Sequence, residues 1–347
     1  MELPVRAAQT HSLMDLYAAG LNAWDQLIFN PPTAGEEPDD IFSFTKVLGA
    51  QSIGRIAAHM CFTAVKLDNN WSVAGASPSF YKEEEKECLF EYPSAISADG
   101  KIVTAESRKP ITSSDQPQAI VQYSSLAAWK GNRSTYSWPC SSRIRRIASY
   151  NAGFVILHED ASVSILGDPR FADCLGRDVD ESRYGHPVTG RTMANSTFSP
   201  AHVPNLVPDL NDLGEPVKKV AAGGYTVAAL TEGGGLYIWG ADPTGSHILH
   251  QVFPGLSGIP NYVEVDGDKD VQDIALGESH AIALTTDGCV YVVGDNTNGQ
   301  LGLGKDLKDP VESWLRIDFK VPLEREIVGV EAGPRSSFII TAKANSE

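Results

Sequence analysis

Short apolar runs recur along the chain, separated by turns rich in Gly, Asp and Asn. The best example spans 271–304, where apolar residues occupy 271–276, 281–285 and 289–293. Asp287-Gly288 stands between the second and third runs, and Asp-Gly between alternating apolar residues is a strong hairpin signal. The stretch therefore predicts a small antiparallel sheet. Such a sheet is not stable alone and has to pack against others.

The same pattern of strands and turns returns at 217–240, at 144–167 and at 53–75. Two half copies lie at the ends of the sequence. Residues 16–22 match only the third strand and its Gly-Asn turn, and residues 327–341 match only the first two strands. Each half copy supplies what the other lacks. We therefore expect N- and C-terminal strands to share one blade and close a ring.

Repeated four-stranded units in a chain of 347 residues predict a β-propeller. Ile56 and Ile147 hold equivalent positions 91 residues apart (147 − 56), about two repeat periods, so one weak unit lies between them. Residues 95–104 predict one hairpin there, and residues 119–129 a further strand pair. We expect an all-β, closed β-propeller that forms a single domain over 1–347. Seven four-stranded blades are our prediction, with six as the alternative.

The repeat has the pattern I-x-x-I-A-x-G-x-x-H-x-x-A-L, followed by G-x-V-Y-x-W-G-x-N-x-x-G-Q-L-G. It is best preserved at 271–304 and appears again at 217–240, 144–176, 53–75 and 13–27. This pattern resembles the regulator of chromosome condensation family. The resemblance implies the propeller fold. The family includes a nucleotide exchanger for the small GTPase Ran and many plain binding scaffolds. His280 falls at the family's usual histidine position, loosely repeated by His59, which implies a structural hydrogen bond.

The chain is acidic, with 44 Asp and Glu against 28 Lys and Arg, a formal net charge of −16. This charge argues against direct binding to DNA or to an anionic membrane, because phosphate contacts need Lys and Arg. It favours a partner with a basic surface, or serves solubility alone. Five cysteines without C-x-x-C spacing and a polar first ten residues predict an intracellular protein, cytoplasmic or nuclear.

The longest irregular stretch follows the 144–167 copy. Residues 168–215 number 48 (215 − 168 + 1), about twice what an outer strand and a connection need. We expect 168–215 to be an inserted loop between blades, with the excess at about 178–208. A passive linker is the alternative. Aromatic and charged residues there are candidate partner contacts, together with three near the ring closure: Arg170, Phe171, Asp178, Asp180, Glu181, Arg183, Tyr184 and His186, then Asn22, Trp24 and Asp25.

The sequence lacks the phosphate-binding G-x-x-x-x-G-K-[ST], the nucleophile elbow G-x-S-x-G and the zinc-binding H-E-x-x-H. We therefore expect no catalytic residues, no cofactor and no metal site. The leading hypothesis is a non-enzymatic scaffold that binds a protein partner through loops on a propeller face. One alternative, implied by the resemblance alone, is a guanine-nucleotide exchange factor for a small GTPase. The other is a chromatin-associated adaptor for basic histone surfaces. The oligomeric state stays open.

Overall fold

The structure is a computed structural model that describes residues 13–30, 38–76, 89–107, 118–179, 199–241, 253, 255–267 and 269–344. Strands dominate it. The first nine are β1 (Met14–Gly20), β2 (Ile41–Ala50), β3 (Ile53–Ala58), β4 (Phe62–Leu67), β5 (Asn70–Gly75), β6 (Ser94–Ile96), β7 (Ile102–Ser107), β8 (Gln118–Tyr123) and β9 (Tyr136–Pro139). The next eight are β10 (Ile144–Tyr150), β11 (Gly153–His158), β12 (Val163–Gly167), β13 (Asn205–Leu206), β14 (Val217–Gly223), β15 (Thr226–Thr231), β16 (Leu236–Gly240) and β17 (Asn261–Tyr262). The last six are β18 (Val271–Leu276), β19 (His280–Thr285), β20 (Val290–Gly294), β21 (Val311–Arg316), β22 (Arg325–Gly333) and β23 (Ser336–Lys343).

These strands form six antiparallel sheets, the blades of a β-propeller. In chain order the blades are I (β3 to β5), II (β6 to β9), III (β10 to β13), IV (β14 to β17), V (β18 to β21) and VI (β22, β23, β1 and β2). Blades II to VI have four strands, and blade I has three among the described residues. The all-β propeller is confirmed. The prediction of seven blades is wrong.

The error lies in the weakly patterned stretch between blades I and III. Residues 119–129 are not a separate strand pair, because β8 is the third strand of the sheet that already holds the 95–104 hairpin. After β8 the chain turns into a short helix, α1 (Leu126–Lys130), capped by the Ser125 hydroxyl, which accepts a hydrogen bond from the Ala128 amide. The stretch therefore holds one blade.

The ring closes where the sequence predicts. Strand β1 pairs with β23 along its whole length, from Met14 opposite Ala342 to Gly20 opposite Ser336. On its other side β1 pairs with β2, so an N-terminal strand lies inside a sheet begun by C-terminal strands. A closed ring leaves no interrupted seam between the first and last blades.

The core fills the seams between neighbouring blades. The second strands β11, β15 and β19 are buried at every position, as expected for strands covered on both faces. One cluster lies between blades II and III and includes Val103, Ile120, Phe154 and Leu166. Comparable clusters occupy the other seams. Each blade is therefore held mainly by its two neighbours.

Candidate functional site

The turn after the third strand of a blade normally closes the seam with the next blade. Leu27 follows β1, Leu175 follows β12 and Leu301 follows β20, and none of these leucines is exposed. Each belongs to the cluster between its own blade and the following one. Asparagine side chains fix two of the turns, because Asn22 Oδ1 accepts from the Leu27 amide and Asn296 Oδ1 from the Leu301 amide.

Blade II departs from this arrangement. Its corner is helix α1, whose buried Ala128 packs into the cluster between blades I and II. The partly buried Leu126 and Trp129 contact that same cluster. In the part of the chain that the structure describes, the seam between blades II and III therefore receives no apolar side chain from the corner of blade II. An opening remains at that end of the seam.

This opening, here called the II–III cleft, has a volume of about 780 Å³, within the range typical of ligand pockets. Its lining includes Lys101, Gln122, Tyr136, Phe154, Arg170 and His202. Gln122 lies opposite Val103 on one side and Tyr136 on the other, so the three side chains share a face of blade II. Val103 faces the seam core. The cleft begins where this face changes from apolar to polar and aromatic residues.

Aromatic rings form one wall of the cleft. Tyr136 is 45% exposed. Its ring stacks on Trp138 with centroids 5.3 Å apart and lies 5.5 Å from the His202 ring. Blade II thus contributes the tyrosine and tryptophan, and the chain that leads into β13 contributes the histidine. Aromatic side chains held by neighbours offer contact area at a small entropic cost.

Two ion pairs lie at the rim, each between residues two apart in sequence. Asp168 Oδ2 is 2.6 Å from Arg170 Nη2, and Asp99 Oδ2 is 2.6 Å from Lys101 Nζ. Hydrogen bonds from Arg170 lower the pKa of Asp168. Burial raises the pKa of Asp99, but hydrogen bonds from Lys101 and Ser97 outweigh it, so the net pKa lies below its usual value. Both carboxylates are therefore charged at neutral pH.

The candidate residues of the 168–215 stretch fall in different places. Arg170 lines the II–III cleft. Phe171 packs on Tyr225 of blade IV, with ring centroids 4.7 Å apart, and Asp178 is exposed. The others lie outside the described residues: Asp180, Glu181, Arg183, Tyr184 and His186.

The described ends of this stretch meet. Val179 and Ser199 form a parallel bridge. Arg177 also stabilises this junction, because its guanidinium donates to the backbone carbonyls of Ser199, Pro200 and Val203. His202 lies between the carbonyl groups that Arg177 binds, and its ring contacts Tyr136 in the cleft wall. One rim of the cleft is thus built on the base of the stretch.

The three candidates near the ring closure lie on blade VI, opposite blade III in the ring. Asn22 is fully buried, and its Oδ1 accepts the hydrogen bond from the Leu27 amide that fixes the turn after β1. Asp25 adopts a positive φ of 56° in that turn. Trp24 is 46% exposed. They follow a third strand, as Arg170 does, and so share its face of the propeller, but the structure does not bring them together with the cleft.

Sequence reasoning missed the aromatic wall and Gln122, because the stretch from 76 to 140 matches the repeat poorly. One signal was available. In 136–138, Tyr-Ser-Trp alternates like a strand yet places two aromatic rings on one face.

The structural hydrogen bond predicted for His280 is confirmed, because His280 Nε2 lies 3.2 Å from the Ser336 carbonyl of the next blade. Burial lowers the pKa of His280 to about 4.

Part of the chain matches models of a known protein family. Two models described as "Regulator of chromosome condensation (RCC1) repeat" match, one at residues 217–245 and 271–300 and the other at 287–340. This chain carries RCC1 repeats. They coincide with blades IV to VI, where the repeat pattern is clearest in the sequence. The II–III cleft lies outside the matched residues.

Individual proteins with RCC1 repeats match over limited stretches. The mouse "Regulator of chromosome condensation" is 37% identical over 98 residues, 28% of this chain and 23% of that protein. The mouse "RCC1-like G exchanging factor-like protein" is 28% identical over 183 residues, 50% of this chain and 37% of that protein. The matches thus span well under half of the length of these relatives.

The fold is shared more widely than the sequence. The crystal structure of Prp20p from Saccharomyces cerevisiae superposes with a TM-score of 0.53 at 15% identity, over 97% of this chain and 94% of that chain. No helix in the described ranges is long and apolar enough to span a membrane. Nor do those ranges contain a cluster of three His, Cys, Asp or Glu side chains that could hold a metal ion.

Proposed function

We propose that the protein is a non-enzymatic scaffold that binds a protein partner through the II–III cleft and the face of the propeller around it. The observation that carries this proposal is the seam left open beside Tyr136, Trp138 and Arg170. Tyr, Trp and Arg dominate the binding energy of protein interfaces. Tyr136 and Trp138 lie on β9 of blade II, and Arg170 lies in the short 3-10 helix Pro169–Leu175 that follows β12. The cores of both blades are filled, so a partner meets a preformed surface.

The chemistry of the chain favours a basic partner, because the net charge is −16 and attracts cationic surfaces over distance. The structure of Prp20p was described together with the binding properties of that protein to Gsp1p and histones. Histone-like basic segments are accordingly one class of partner to test. The free thiols Cys61, Cys140, Cys174 and Cys289 support the proposal of an intracellular protein.

We further propose that the 168–215 stretch, which includes β13 of blade III, carries an insertion that extends the rim of the cleft. Arg170 and His202 come from its two described ends and both line the cleft. The bridge between Val179 and Ser199 places these ends side by side. A partner seated in the cleft would therefore also meet residues of this stretch.

Nucleotide exchange on a small GTPase is the second candidate. It is supported by the similarity to the mouse protein named as a G exchanging factor-like protein. Exchange needs no catalytic triad or metal in the exchanger, only a surface that binds the GTPase better without its nucleotide. The two candidates therefore differ in how partner binding depends on nucleotide.

Affinity capture separates them. The full chain would be used as bait in lysate of its own cells, once with magnesium and GTP and once with EDTA. Three variants run in parallel: Tyr136→Ala, Arg170→Ala and Tyr262→Ala. Tyr262 is the matched control, since it is a 50% exposed tyrosine in the outermost strand of blade IV.

A scaffold retains the same identified partner under both conditions, and loses it in Tyr136→Ala and Arg170→Ala but not in Tyr262→Ala. A GTPase retained only with EDTA would instead make exchange the function. A partner that all three variants retain would overturn the assignment to the cleft.

A further inference from the structure

The wall of the II–III cleft contains an acceptor that has no donor among the residues that the structure describes. Gln122 is only 9% exposed, yet its Oε1 receives no hydrogen bond from any described residue. Buried side-chain oxygens are nearly always paired, because an unpaired one forfeits its hydration. Gln122 lines the cleft. A bound group that donates a hydrogen bond to Gln122 Oε1 would therefore satisfy this acceptor.

A negative charge stands beside the same opening. The side chain of Asp99 is about half exposed (49%), and among the described residues its Oδ2 is paired only with the equally exposed Lys101 ammonium. Such a surface ion pair is worth at most about 1 kcal/mol. An incoming cation can thus share or replace Lys101 on Asp99 at little cost. Asp168 is less available, because Arg170 already donates three side-chain hydrogen bonds to it.

The third element is the exposed ring of Tyr136. It stands directly opposite Gln122 in the pairing of β8 with β9, so the ring and the amide project from the same face as neighbours. The ring contacts those of Trp138 and His202 and is still 45% exposed. A planar cation can stack on such a ring while it donates hydrogen bonds from its edge.

We propose that the II–III cleft binds the guanidinium group of an arginine side chain presented by the protein partner. This inference rests on the proposed function and specifies what the cleft recognises. The guanidinium would stack on Tyr136, donate to Gln122 Oε1 and pair with Asp99. Arginine fits better than lysine, because five donors lie in one plane and the group is more weakly hydrated than an ammonium.

The test uses small probes on the full chain: the N-acetyl, N-methylamide derivatives of arginine, lysine and citrulline. Citrulline keeps the shape of arginine and lacks the charge. Binding is followed by the indole N–H signal of Trp138, assigned with the Trp138→Phe variant. We expect arginine to bind with a Kd on the order of 1 mM. Lysine and citrulline should bind at least about tenfold more weakly.

Two variants locate the site. Gln122→Leu removes the unpaired acceptor with little change in volume, so it should fold normally and weaken arginine binding by about fivefold or more. Tyr136→Ala should weaken it similarly, whereas Tyr262→Ala should not. Equal binding of the three probes, or unchanged arginine binding in both cleft variants, would overturn the proposal.

The outcomes also separate this inference from the proposed function. A captured partner that depends on Tyr136, combined with no arginine binding, overturns the arginine pocket and leaves the scaffold intact. Arginine binding combined with partner capture that ignores Tyr136 supports the pocket and removes the partner assignment. If arginine does not bind and partner capture does not depend on Tyr136, both the arginine pocket and the assignment of the partner to the cleft are overturned.

Discussion

Arg146 of blade III and Glu331 of blade VI are hydrogen-bonded across the centre of the ring. The Arg146 Nη2 atom lies 3.0 and 3.1 Å from the two carboxylate oxygens of Glu331. Their innermost strands belong to opposite blades, so the pair spans the central channel. Residues 185 positions apart in sequence thus meet across the channel.

The pair belongs to a larger network. Lys219 Nζ of blade IV lies 2.6 Å from Asp273 Oδ1 of blade V and 3.2 Å from Glu331 Oε1. Asp273 Oδ2 accepts from the Val330 amide of blade VI. Arg146, Lys219 and Asp273 each follow a register shift in the innermost strand of their blade. This irregularity places two cations and one carboxylate near the axis, and their ion pairs with one another and with Glu331 tie four blades together.

The first prediction concerns this network. Glu331→Gln removes the charge that faces both Arg146 and Lys219. Over a third of the Arg146 side chain remains exposed, so we expect a loss of about 1–3 kcal/mol in the free energy of unfolding, below that of a fully buried pair. Urea unfolding measures it. Glu278→Gln is the matched control, because Glu278 meets Arg335 at 3.5 Å near the surface and should cost less than about 1 kcal/mol.

The network also has a pH dependence. Burial raises the pKa of Glu331, but Arg146 and Lys219 outweigh it and leave the pKa lowered. The carboxylate therefore contributes stability above the pKa of the unfolded state, and the contribution is lost as pH falls through the folded pKa. Glu331→Gln should lack this part of the acid sensitivity. An equal loss of stability in both proteins at low pH would contradict the assignment.

The second prediction concerns His280, which is fully buried between blades V and VI. Burial lowers its pKa from 6.5 to about 4, so below pH 6.5 the unfolded chain binds a proton that the native state resists. The stabilisation is complete above pH 6.5 and is lost progressively toward pH 4, with an amplitude of roughly 3 kcal/mol. In urea unfolding from pH 7.5 to 4.5, His280→Gln should lose less stability than the wild type. If the free energy of unfolding falls equally with pH in the two proteins, His280 does not contribute this pH dependence.

The third prediction concerns two glycines of the blade V corner. Gly299 and Gly304 both have positive φ, 80° and 92°. A Cβ at Gly299 would lie 2.7 Å from the Phe42 Cα atom, whereas a Cβ at Gly304 would meet nothing within 4 Å. Both alanine substitutions carry a conformational cost of about 1 kcal/mol. Gly299→Ala should cost about 1–3 kcal/mol more, because backbone has to move. Thermal unfolding that shows equal losses would contradict the close contact with β2.

The fourth prediction concerns ring closure. Deleting residues 1–27 removes β1 and leaves the edges of both β23 and β2 unpaired. Exposed apolar strand edges template association between chains. The truncated protein should therefore aggregate, as measured by light scattering during size-exclusion chromatography. A soluble truncation as stable as the full chain would contradict the closure.

The sequence predicted the parts of the fold that depend on local pattern. Asp287-Gly288 marks a hairpin, and complementary half copies mark the shared blade. The blade count failed because β8 and α1 between 118 and 130 look like two strands to a pattern of apolar residues. The helix was missed because its N-cap, Ser125, is a single residue and gives no periodic pattern.

The site was less accessible to prediction. Arg170 was chosen for its place in a long stretch, and it does line the cleft. The cleft itself depends on which seam Ala128 and its neighbours enter, a tertiary choice that no local pattern encodes. In the sequence Gln122 resembles an ordinary strand residue, and only the three-dimensional structure shows that its Oε1 lacks a donor among the described residues.

Partner affinity across the cleft variants tests the central claim most directly. The captured partner would be purified and titrated by calorimetry against wild type, Tyr136→Ala and Tyr262→Ala, each first shown to unfold at the same temperature. The scaffold account predicts at least about tenfold weaker binding for Tyr136→Ala, as for an interface anchor, and less than about twofold change for Tyr262→Ala. Equal affinities for all three proteins would contradict it and place the partner elsewhere on the propeller.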